Sequence, residues 1–346
     1  MAGSPLKIAV AGSGSMAQYH ISRFSAMPDV SVVGVYDRSP ERARATAEKC
    51  GVPQWFSDVN QMVSVTGPDA VSVAVADSQQ YSVALSVLQS RVPAFIEKPF
   101  TTDVFQADHL VQLQDELAVP VVVNFSKINY PAIWGLIAAV RNGVFGTIRT
   151  VELKYRQSWI ISTVWGEWWH DPRWLWRISS SHGGGGAFRD LGSHLLYVAL
   201  QLGGDIRSIK TEASVVADRS KAVESGYSCD LNDRFVSRVS FRSGAEGVVS
   251  GGYAESGYVN EVYARVEGDE GSAEVIAAGT KDVLTMARRP ASSRGANAPR
   301  TVRFAKVYST YEHFVDCLTG ARPSHSFSPS ARDGLRVQKL LAGVPL

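Results

Sequence analysis

The segment AVAGSGSMAQYH at residues 9–20 decides how the N-terminal part of the chain folds. An apolar run leads into its glycines, and a helical pattern follows them. Gly12 permits a tight turn, Gly14 leaves room against the backbone, and the small side chain of Ala17 lets the helix pack closely on the strand. The segment therefore predicts a buried strand, a glycine turn and a helix in direct succession.

Short runs of Val, Ile and Ala alternate with helical patterns through residues 1–124. Continuous apolar runs of this kind suit strands that are buried on both faces. Their alternation with helices predicts an α/β domain with a doubly wound parallel sheet of the Rossmann type. The predicted strands are Leu6–Gly12, Val32–Asp37, Ala70–Ala76, Ala94–Glu97 and Val119–Asn124, and the predicted helices are Ser15–Met27, Pro40–Cys50, Gln79–Ser90 and Thr102–Leu117.

The pattern changes after Asn124, and we predict a second domain at residues 125–346. Most segments between Ile209 and Phe304 alternate in hydropathy, as half-exposed antiparallel strands do. The second domain is therefore predicted to be α+β, with one large, open and mainly antiparallel sheet. Its predicted strands include Thr147–Gln157, Phe235–Phe241, Gly247–Tyr253, Glu261–Val266 and Ala273–Ala277, its predicted helices are Pro131–Asn142, Arg189–Leu202, Tyr308–Thr319 and Pro329–Leu341, and Ala287–Pro299 is predicted to be a mobile loop.

Charge and cysteine content limit the class of protein. The formal net charge of the 346 residues is +2 and no run of like charges occurs, which argues against a nucleic-acid partner. The three cysteines form no CxxC pair, so neither a disulfide framework nor a metal site is predicted. No signal peptide and no apolar run near the ~20 residues of a membrane span is recognisable. We expect a cytoplasmic protein without membrane contact.

The glycine turn and the next acidic residue together predict a dinucleotide site. Phosphates favour a helix N-terminus, where free N–H groups and the helix dipole attract negative charge. Asp37 lies twenty residues past Ala17, where a carboxylate binds the adenosine ribose hydroxyls and repels a 2′-phosphate. Arg38 could instead stack on adenine or clamp a 2′-phosphate, so NAD is the favoured cofactor and NADP the alternative. The turn residues predicted to contact it are Gly12, Ser13, Gly14, Ser15, Met16 and Ala17.

Two further motifs follow the glycine turn along the chain. The fifth strand ends in Phe95-Ile96-Glu97-Lys98-Pro99, and residues 183–194 read GGGGAFRDLGSH. Together with Asn142–Gly146, Trp176-Arg177 and Gly268–Ser272, they resemble the signatures of the glucose–fructose oxidoreductase/inositol dehydrogenase (Gfo/Idh/MocA) family over almost the whole chain. The resemblance implies a Rossmann domain followed by an open-sheet domain, which often forms a homodimer or homotetramer through that sheet.

The resemblance also implies that Lys98, Asp190 and His194 form the catalytic group. The chemistry agrees, because histidine can accept a hydroxyl proton near neutral pH while hydride leaves carbon. Asp190 and His194 are spaced i,i+4, so they would share one face of a helix, and Lys98 could stabilise a developing alkoxide. The alternatives are a surface lysine, a helix-capping aspartate and a core histidine.

Two departures from the family pattern affect the remaining site residues. Tyr81 stands where we expect a family histidine, and Lys127 stands where arginine is common. His20, one turn past the glycines, is interpreted as a packing or capping residue. The cofactor contacts predicted beyond the glycine turn are Asp37, Arg38, Ala76, Asp77, Tyr81, Glu97, Lys98, Asn124 and Arg177, and the predicted substrate contacts are Lys98, Lys127, Trp165, Trp176, Asp190 and His194.

Six of the eight tryptophans fall within residues 159–176, just before the predicted catalytic helix. Indole rings stack well on sugar C–H faces, which favours a pocket wall, but tryptophan is equally typical of packed loops and subunit interfaces. Within this stretch, His170 and Asp171 are interpreted as an exposed loop pair rather than a second acid–base pair.

These features predict an NAD(P)-dependent oxidoreductase that acts on a secondary alcohol or ketone of a sugar, inositol or glycoside. One alternative on the same fold is a glycoside hydrolase that oxidises its substrate transiently and recycles NAD. Another is a non-catalytic, dinucleotide-binding regulator of a sugar regulon. The presence of Lys98, Asp190 and His194 together argues against the regulator.

Overall fold

The computed structural model of the chain describes residues 4–279, 281–288, 299–302, 307–320 and 328–346. Their contacts divide the chain into two compact units. The first consists of Met1–Phe125 and Tyr308–Gln338, and the second of Ser126–Val307 and Lys339–Leu346.

The first unit is built on a six-stranded parallel sheet and the helices that connect its strands. The elements are β1 (Leu6–Ala11), α1 (Ser15–Ser25), β2 (Val30–Tyr36), α2 (Pro40–Cys50), β3 (Trp55–Phe56), α3 (Val59–Thr66), β4 (Ala70–Val73), α4 (Asp77–Gln89), β5 (Ala94–Glu97), α5 (Val104–Leu117) and β6 (Val121–Asn124). The strand order is β3-β2-β1-β4-β5-β6, as the Rossmann prediction requires. The prediction did not include the short strand β3 or the helix α3 after it, which are too brief for a clear periodic pattern.

The strands of this sheet are apolar because helices cover both faces. Every residue of β4, β5 and β6 is buried. The turn after β1 requires glycine at position 12, where φ is +122° and a Cβ atom would lie 2.2 Å from the carbonyl oxygen of Ala74. Ala17 is fully buried beside that turn, which explains the small residue at the third position of the motif.

The second unit carries an eight-stranded sheet in the described residues. The elements are α6 (Pro131–Arg141), β7 (Ile148–Gln157), α7 (Pro172–Leu175), α8 (Ser193–Gly203), β8 (Ile206–Ser214), β9 (Arg234–Phe241), β10 (Glu246–Gly252), β11 (Asn260–Gly268), β12 (Gly271–Ala278), β13 (Lys281–Arg288) and β14 (Arg300–Val302). The strand order is β14-β13-β12-β11-β7-β10-β9-β8. The pairs are antiparallel except for the parallel pair of β7 and β10, which confirms the predicted mainly antiparallel sheet.

The helix predicted to begin at Arg189 starts differently. Phe188–Gly192 forms a π-helical turn, and the regular helix α8 follows it from Ser193. Such wide turns inside helices occur frequently at functional sites. Residues 289–298 of the predicted loop at Ala287–Pro299 lie outside the described part of the chain. Among the described residues, no helix combines the length and hydropathy of a membrane span.

Two C-terminal helices, α9 (Thr310–Thr319) and α10 (Ala331–Leu341), follow the second sheet in sequence. The predicted division assigned both to the second domain, whereas their contacts place α9 and most of α10 with the first unit. Tyr311 and Phe314 of α9 are buried in the same core cluster as Phe24 and Phe95. The hydropathy pattern shows that a helix has an apolar face, but it does not show which sheet covers that face.

The packing of α9 predicts that Phe314→Ala destabilises the first unit. Its ring lies 5.3 Å from that of Phe95, and truncating a fully buried Phe costs about 3–5 kcal/mol. Urea unfolding, with hydrogen exchange at β1 and β5, measures the loss. Phe105→Ala is the matched control because Phe105 is 85% exposed. Equal stability of the two variants would contradict this assignment of α9.

Candidate active site

The glycine turn of the first unit leaves open space at the N-terminus of α1. Gly14 occupies the N-cap position, and no described atom lies within 4 Å of the place a Cβ atom would take there. Ser15 and Met16 are exposed around this opening, while Ser13 is buried behind it. A helix N-terminus with a bare glycine and unobstructed space suits the phosphates of a dinucleotide. The residues present therefore fit the predicted cofactor.

Asp37 lies at the end of β2 as predicted, and three groups from the turn and from α2 bind its carboxylate. The Ser13 hydroxyl donates to Oδ2, and the Ser39 backbone N–H donates to Oδ1 at 3.0 Å. Arg42 Nη2 lies 3.3 Å from Oδ2, and Arg42 Nε donates to Ser13 Oγ at 3.2 Å. Arg38 is exposed. Sequence reasoning named Arg38 and missed Arg42, although position 42 falls in the first turn of α2 beside the predicted site.

A buried carboxylate, Glu97, precedes Lys98 at the end of β5. Its Oε1 lies 2.9 Å from His20 Nε2 and accepts from Asn124 Nδ2 at 2.5 Å, and its Oε2 accepts the Lys98 backbone N–H at 3.1 Å. Burial by itself raises the pKa of Glu97, but the hydrogen bond and charge of His20, the charge of Lys98 and the hydrogen bond from Asn124 together hold this pKa below its usual value. The other ring nitrogen of His20 lies 2.7 Å from Ser72 Oγ.

His20 therefore packs, as interpreted, and also belongs to a polar network that sequence reasoning missed. Its ring is fully buried, with edge-to-face contacts to Phe95 and Tyr311. The side chains of Glu97 and Asn124, which are predicted to contact the cofactor, both belong to this network. Asn124 Oδ1 additionally accepts from the Thr310 hydroxyl at 2.7 Å.

The first turn of α4 places Gln80 against residues 97–100, the backbone turn that carries Lys98. Ala76 is exposed and Asp77 half-buried at this helix N-terminus, as expected of positions that could face a cofactor. The Tyr81 hydroxyl, however, lies 2.7 Å from Nδ1 of His109 on α5. The preceding residue, Gln80, is buried, and its amide donates to the carbonyl oxygens of Glu97, Pro99 and Phe100, at the end of β5 and just after it. Sequence reasoning did not single out Gln80.

In the second unit, an arginine and a tyrosine donate hydrogen bonds to the Asp190 carboxylate. Arg177 Nη1 lies 2.7 Å from Asp190 Oδ2, and the Tyr253 hydroxyl donates to the same oxygen at 2.8 Å. Burial, and then the neighbouring charge of Asp190, raise the pKa of Tyr253 well above its usual value, so the phenol keeps its proton. Asp190 lies within the π-helical turn, and Gly192 is the N-cap of α8. The helix-cap alternative therefore does not describe Asp190.

His194 lies in the first turn of α8, four residues after Asp190. Its side chain is buried, and its ring centroid lies 6.2 Å from that of Tyr155 on β7. Lys127 also contacts Tyr155. Its Nζ lies 4.9 Å from the Tyr155 ring centroid and 5.3 Å from that of Tyr130. A carboxylate held by donors, an imidazole and a nearby ammonium group can together orient a hydroxyl and exchange its proton.

The tryptophan-rich stretch forms a cluster that packs against this carboxylate group. Trp159 and Trp168 are buried, and the ring of Trp159 lies 4.8 Å from that of Tyr253. Trp165 stacks on Trp174 at 5.1 Å, and both rings are half-buried. The Arg177 guanidinium lies between two indoles, 5.4 Å from the Trp174 ring and 5.3 Å from that of Trp176. The buried members thus support the packed-loop interpretation, while Trp165, Trp174 and Trp176 remain partly accessible.

His170 and Asp171, interpreted as an exposed loop pair, differ in their surroundings. His170 is exposed, as expected, whereas Asp171 is half-buried, binds the Arg173 side chain and caps the short helix α7. These contacts lower the pKa of Asp171, the hydrogen bond from Arg173 contributing most. No group of three or more His, Cys, Asp or Glu side chains that could hold a metal occurs among the described residues.

Comparison with known proteins assigns both halves of the chain to one family. Residues 6–125 match the family described as "Oxidoreductase family, NAD-binding Rossmann fold", and residues 135–274 match the GFO/IDH/MocA C-terminal domain. D-apiose dehydrogenase from Paraburkholderia graminis is 24% identical over 97% of this chain and 85% of its own. Inositol 2-dehydrogenase from Mycolicibacterium smegmatis is 33% identical over 45% of this chain and 46% of its own.

Solved structures show the same fold over nearly the full length. Levoglucosan dehydrogenase in complex with NADH and levoglucosan superposes with a TM-score of 0.84 at 19% identity, covering 99% of this chain and 96% of that one. The two matched domains, in the order that the motifs predict, identify the chain as a member of the GFO/IDH/MocA oxidoreductase family.

Proposed function

We propose that the protein is an NAD-dependent dehydrogenase that oxidises a secondary alcohol of a sugar, polyol or glycoside, or reduces the corresponding ketone. The observation that carries this proposal is the Asp190 carboxylate, held by Arg177 and Tyr253 and followed one helical turn later by His194. Relatives named D-apiose dehydrogenase, inositol 2-dehydrogenase and levoglucosan dehydrogenase support the substrate class.

Each proposed catalytic residue has a distinct task. Asp190 is fixed as an acceptor, so it orients the substrate hydroxyl. His194 takes the hydroxyl proton, for which imidazole suits neutral pH. Lys98 offers a positive charge that stabilises a developing alkoxide. The bound nicotinamide supplies the hydride acceptor. Three further residues are proposed to contact the sugar. Lys127 packs on Tyr155, which contacts His194. Trp176 packs on Arg177, the partner of Asp190, and Trp165 stacks on Trp174 beside it.

The adenosine end of the cofactor is assigned to the first unit. Asp37 binds the ribose hydroxyls, which favours NAD, and Gly12, Gly14 and the N-terminus of α1 hold the pyrophosphate. Arg42 partly neutralises Asp37. We therefore propose that Arg42, rather than Arg38, would bind a 2′-phosphate if Asp37 were removed.

We further propose a cytoplasmic homodimer or homotetramer that associates through the eight-stranded sheet.

Absorbance of NADH tests the proposal directly. The protein is incubated with NAD and a panel of pentoses, hexoses, inositols and glycosides. Net formation of NADH supports the dehydrogenase. Release of an aglycone without net NADH would favour an NAD-recycling hydrolase, and tight dinucleotide binding with neither reaction would favour a regulator.

Replacement of the proposed base is expected to stop the reaction without disturbing the cofactor. We predict that His194→Ala lowers kcat by about 10²–10⁴-fold, the usual contribution of a positioned general base, and leaves NAD affinity nearly unchanged. Steady-state kinetics and cofactor fluorescence measure the two quantities. His170→Ala, on an exposed histidine, is the control. Wild-type turnover in His194→Ala would remove this residue from the mechanism.

The hydroxyl of Tyr253 is expected to contribute to catalysis through Asp190. Tyr253→Phe removes a hydrogen-bond donor to the Asp190 carboxylate and keeps the ring that packs on Trp159. A hydrogen bond to a charged group contributes about 1.5–3 kcal/mol, so we predict a kcat loss of about tenfold or more. Tyr258→Phe makes the same change elsewhere in the second unit. Equal kcat values for the two variants would show that the Tyr253 hydroxyl does not contribute to catalysis.

The carboxylate of Asp37 is expected to control cofactor choice. We predict that Asp37→Ala raises the ratio of kcat/KM for NADP to that for NAD by about tenfold or more, because it removes a negative charge and releases the Arg42 guanidinium. Asp29→Ala, on an exposed carboxylate, is the control. An unchanged ratio, or a wild type that already prefers NADP, would contradict the assignment of Asp37.

A further inference from the structure

We propose that Gln80 is a positioning residue that holds the backbone turn carrying Lys98. The proposal rests on the dehydrogenase function given above, since it assigns to Gln80 an effect on the catalytic step. No sequence motif pointed to this residue, and it contacts the turn only through its backbone.

Within the described part of the chain, all the hydrogen bonds of the Gln80 side chain go to the backbone of residues 97–100. Its Nε2 lies 2.6 Å from the carbonyl oxygen of Glu97, 2.5 Å from that of Pro99 and 3.2 Å from that of Phe100. The side chain is 1% exposed and projects from the first turn of α4. An amide nitrogen with two hydrogens can serve several closely spaced carbonyl groups without bringing a charge into the interior.

The side chain of Glu97 also binds this backbone turn, through the N–H group of Lys98. The carboxylate of Glu97 accepts the backbone N–H of Lys98 at 3.1 Å. Gln80 thus binds the carbonyl oxygen before Lys98 and the one after it, while Glu97 binds the N–H of Lys98 itself. Gln80 and Glu97 therefore fix the backbone on both sides of Lys98.

The chemistry of Gln80 argues against a simple packing role. Its Oε1 is buried and has no hydrogen-bond partner among the described residues, which is unfavourable for a polar atom. An apolar side chain of the same length would fill this space without that cost. The presence of an amide at this position is therefore best explained by the hydrogen bonds that its N–H groups donate. The acceptors are the carbonyl oxygens of Glu97, Pro99 and Phe100, next to Lys98. Loss of these donors should misplace Lys98 without emptying the core.

The test compares Gln80→Met with Gln79→Met, the same change at the preceding residue. Methionine keeps the length of the side chain and removes its donors. We expect Gln80→Met to lower kcat by about tenfold or more, because small misplacements of a reacting group are costly, and to leave KM and Kd for NAD within about twofold. Hydrogen exchange at residues 97–102 should accelerate about tenfold, with β1 and β2 unchanged. The control should match the wild type in each measurement.

Two outcomes would overturn the proposal. One is a kcat within about twofold of the wild-type value, which would show that the turn holds its position without Gln80. The other is a parallel loss of kcat, NAD affinity and thermal stability, which would show a general structural role. If the wild-type protein oxidises no sugar or polyol, the proposed function fails, and hydrogen exchange still decides separately whether Gln80 holds the turn.

Discussion

The first unit depends on the hydrogen bonds that surround the buried carboxylate of Glu97. A charge in this interior is tolerated only because histidine, amide and backbone donors surround it. These donors come from α1, from β6 and from the turn that follows β5. The same contact network therefore joins the helix that would carry the cofactor phosphates to the strand that carries Lys98, and it extends through Asn124 to Tyr311 of α9.

In the second unit, the Asp190 carboxylate is likewise stabilised by hydrogen-bond donors, but these are of other types. A guanidinium and a phenol bind one carboxylate oxygen, and aromatic rings from a single short segment hold both donors in place. Trp159 packs on Tyr253, and Trp174 and Trp176 flank Arg177, so these rings support both groups that donate to Asp190. Trp174 and Trp176 are also partly accessible, as is Trp165, which stacks on Trp174. Under the proposed function, the same cluster would therefore support Asp190 and contact the sugar.

The local parts of this architecture could be predicted from sequence, and the long-range contacts could not. Gly12 and Asp37 were predicted because a strand, a turn and a helix impose their requirements within a few adjacent residues. Gln80 meets the turn after β5 from nineteen residues away, and Tyr253 meets Asp190 from 63 residues away. No periodic pattern encodes such a pair, since it depends on which elements become neighbours in the folded chain. The same reason explains why α9 was assigned to the wrong part of the molecule.

The return of α9 to the first unit affects the order in which the protein can fold during synthesis. Strands β1 to β6 leave the ribosome early, but Tyr311 and Phe314 complete their core only after the whole second sheet has been translated. At roughly 5–20 residues per second, this interval lasts on the order of ten seconds or more. During that time the nascent first unit exposes an apolar surface around Phe24 and Phe95. A chaperone that binds apolar segments would find its natural target there.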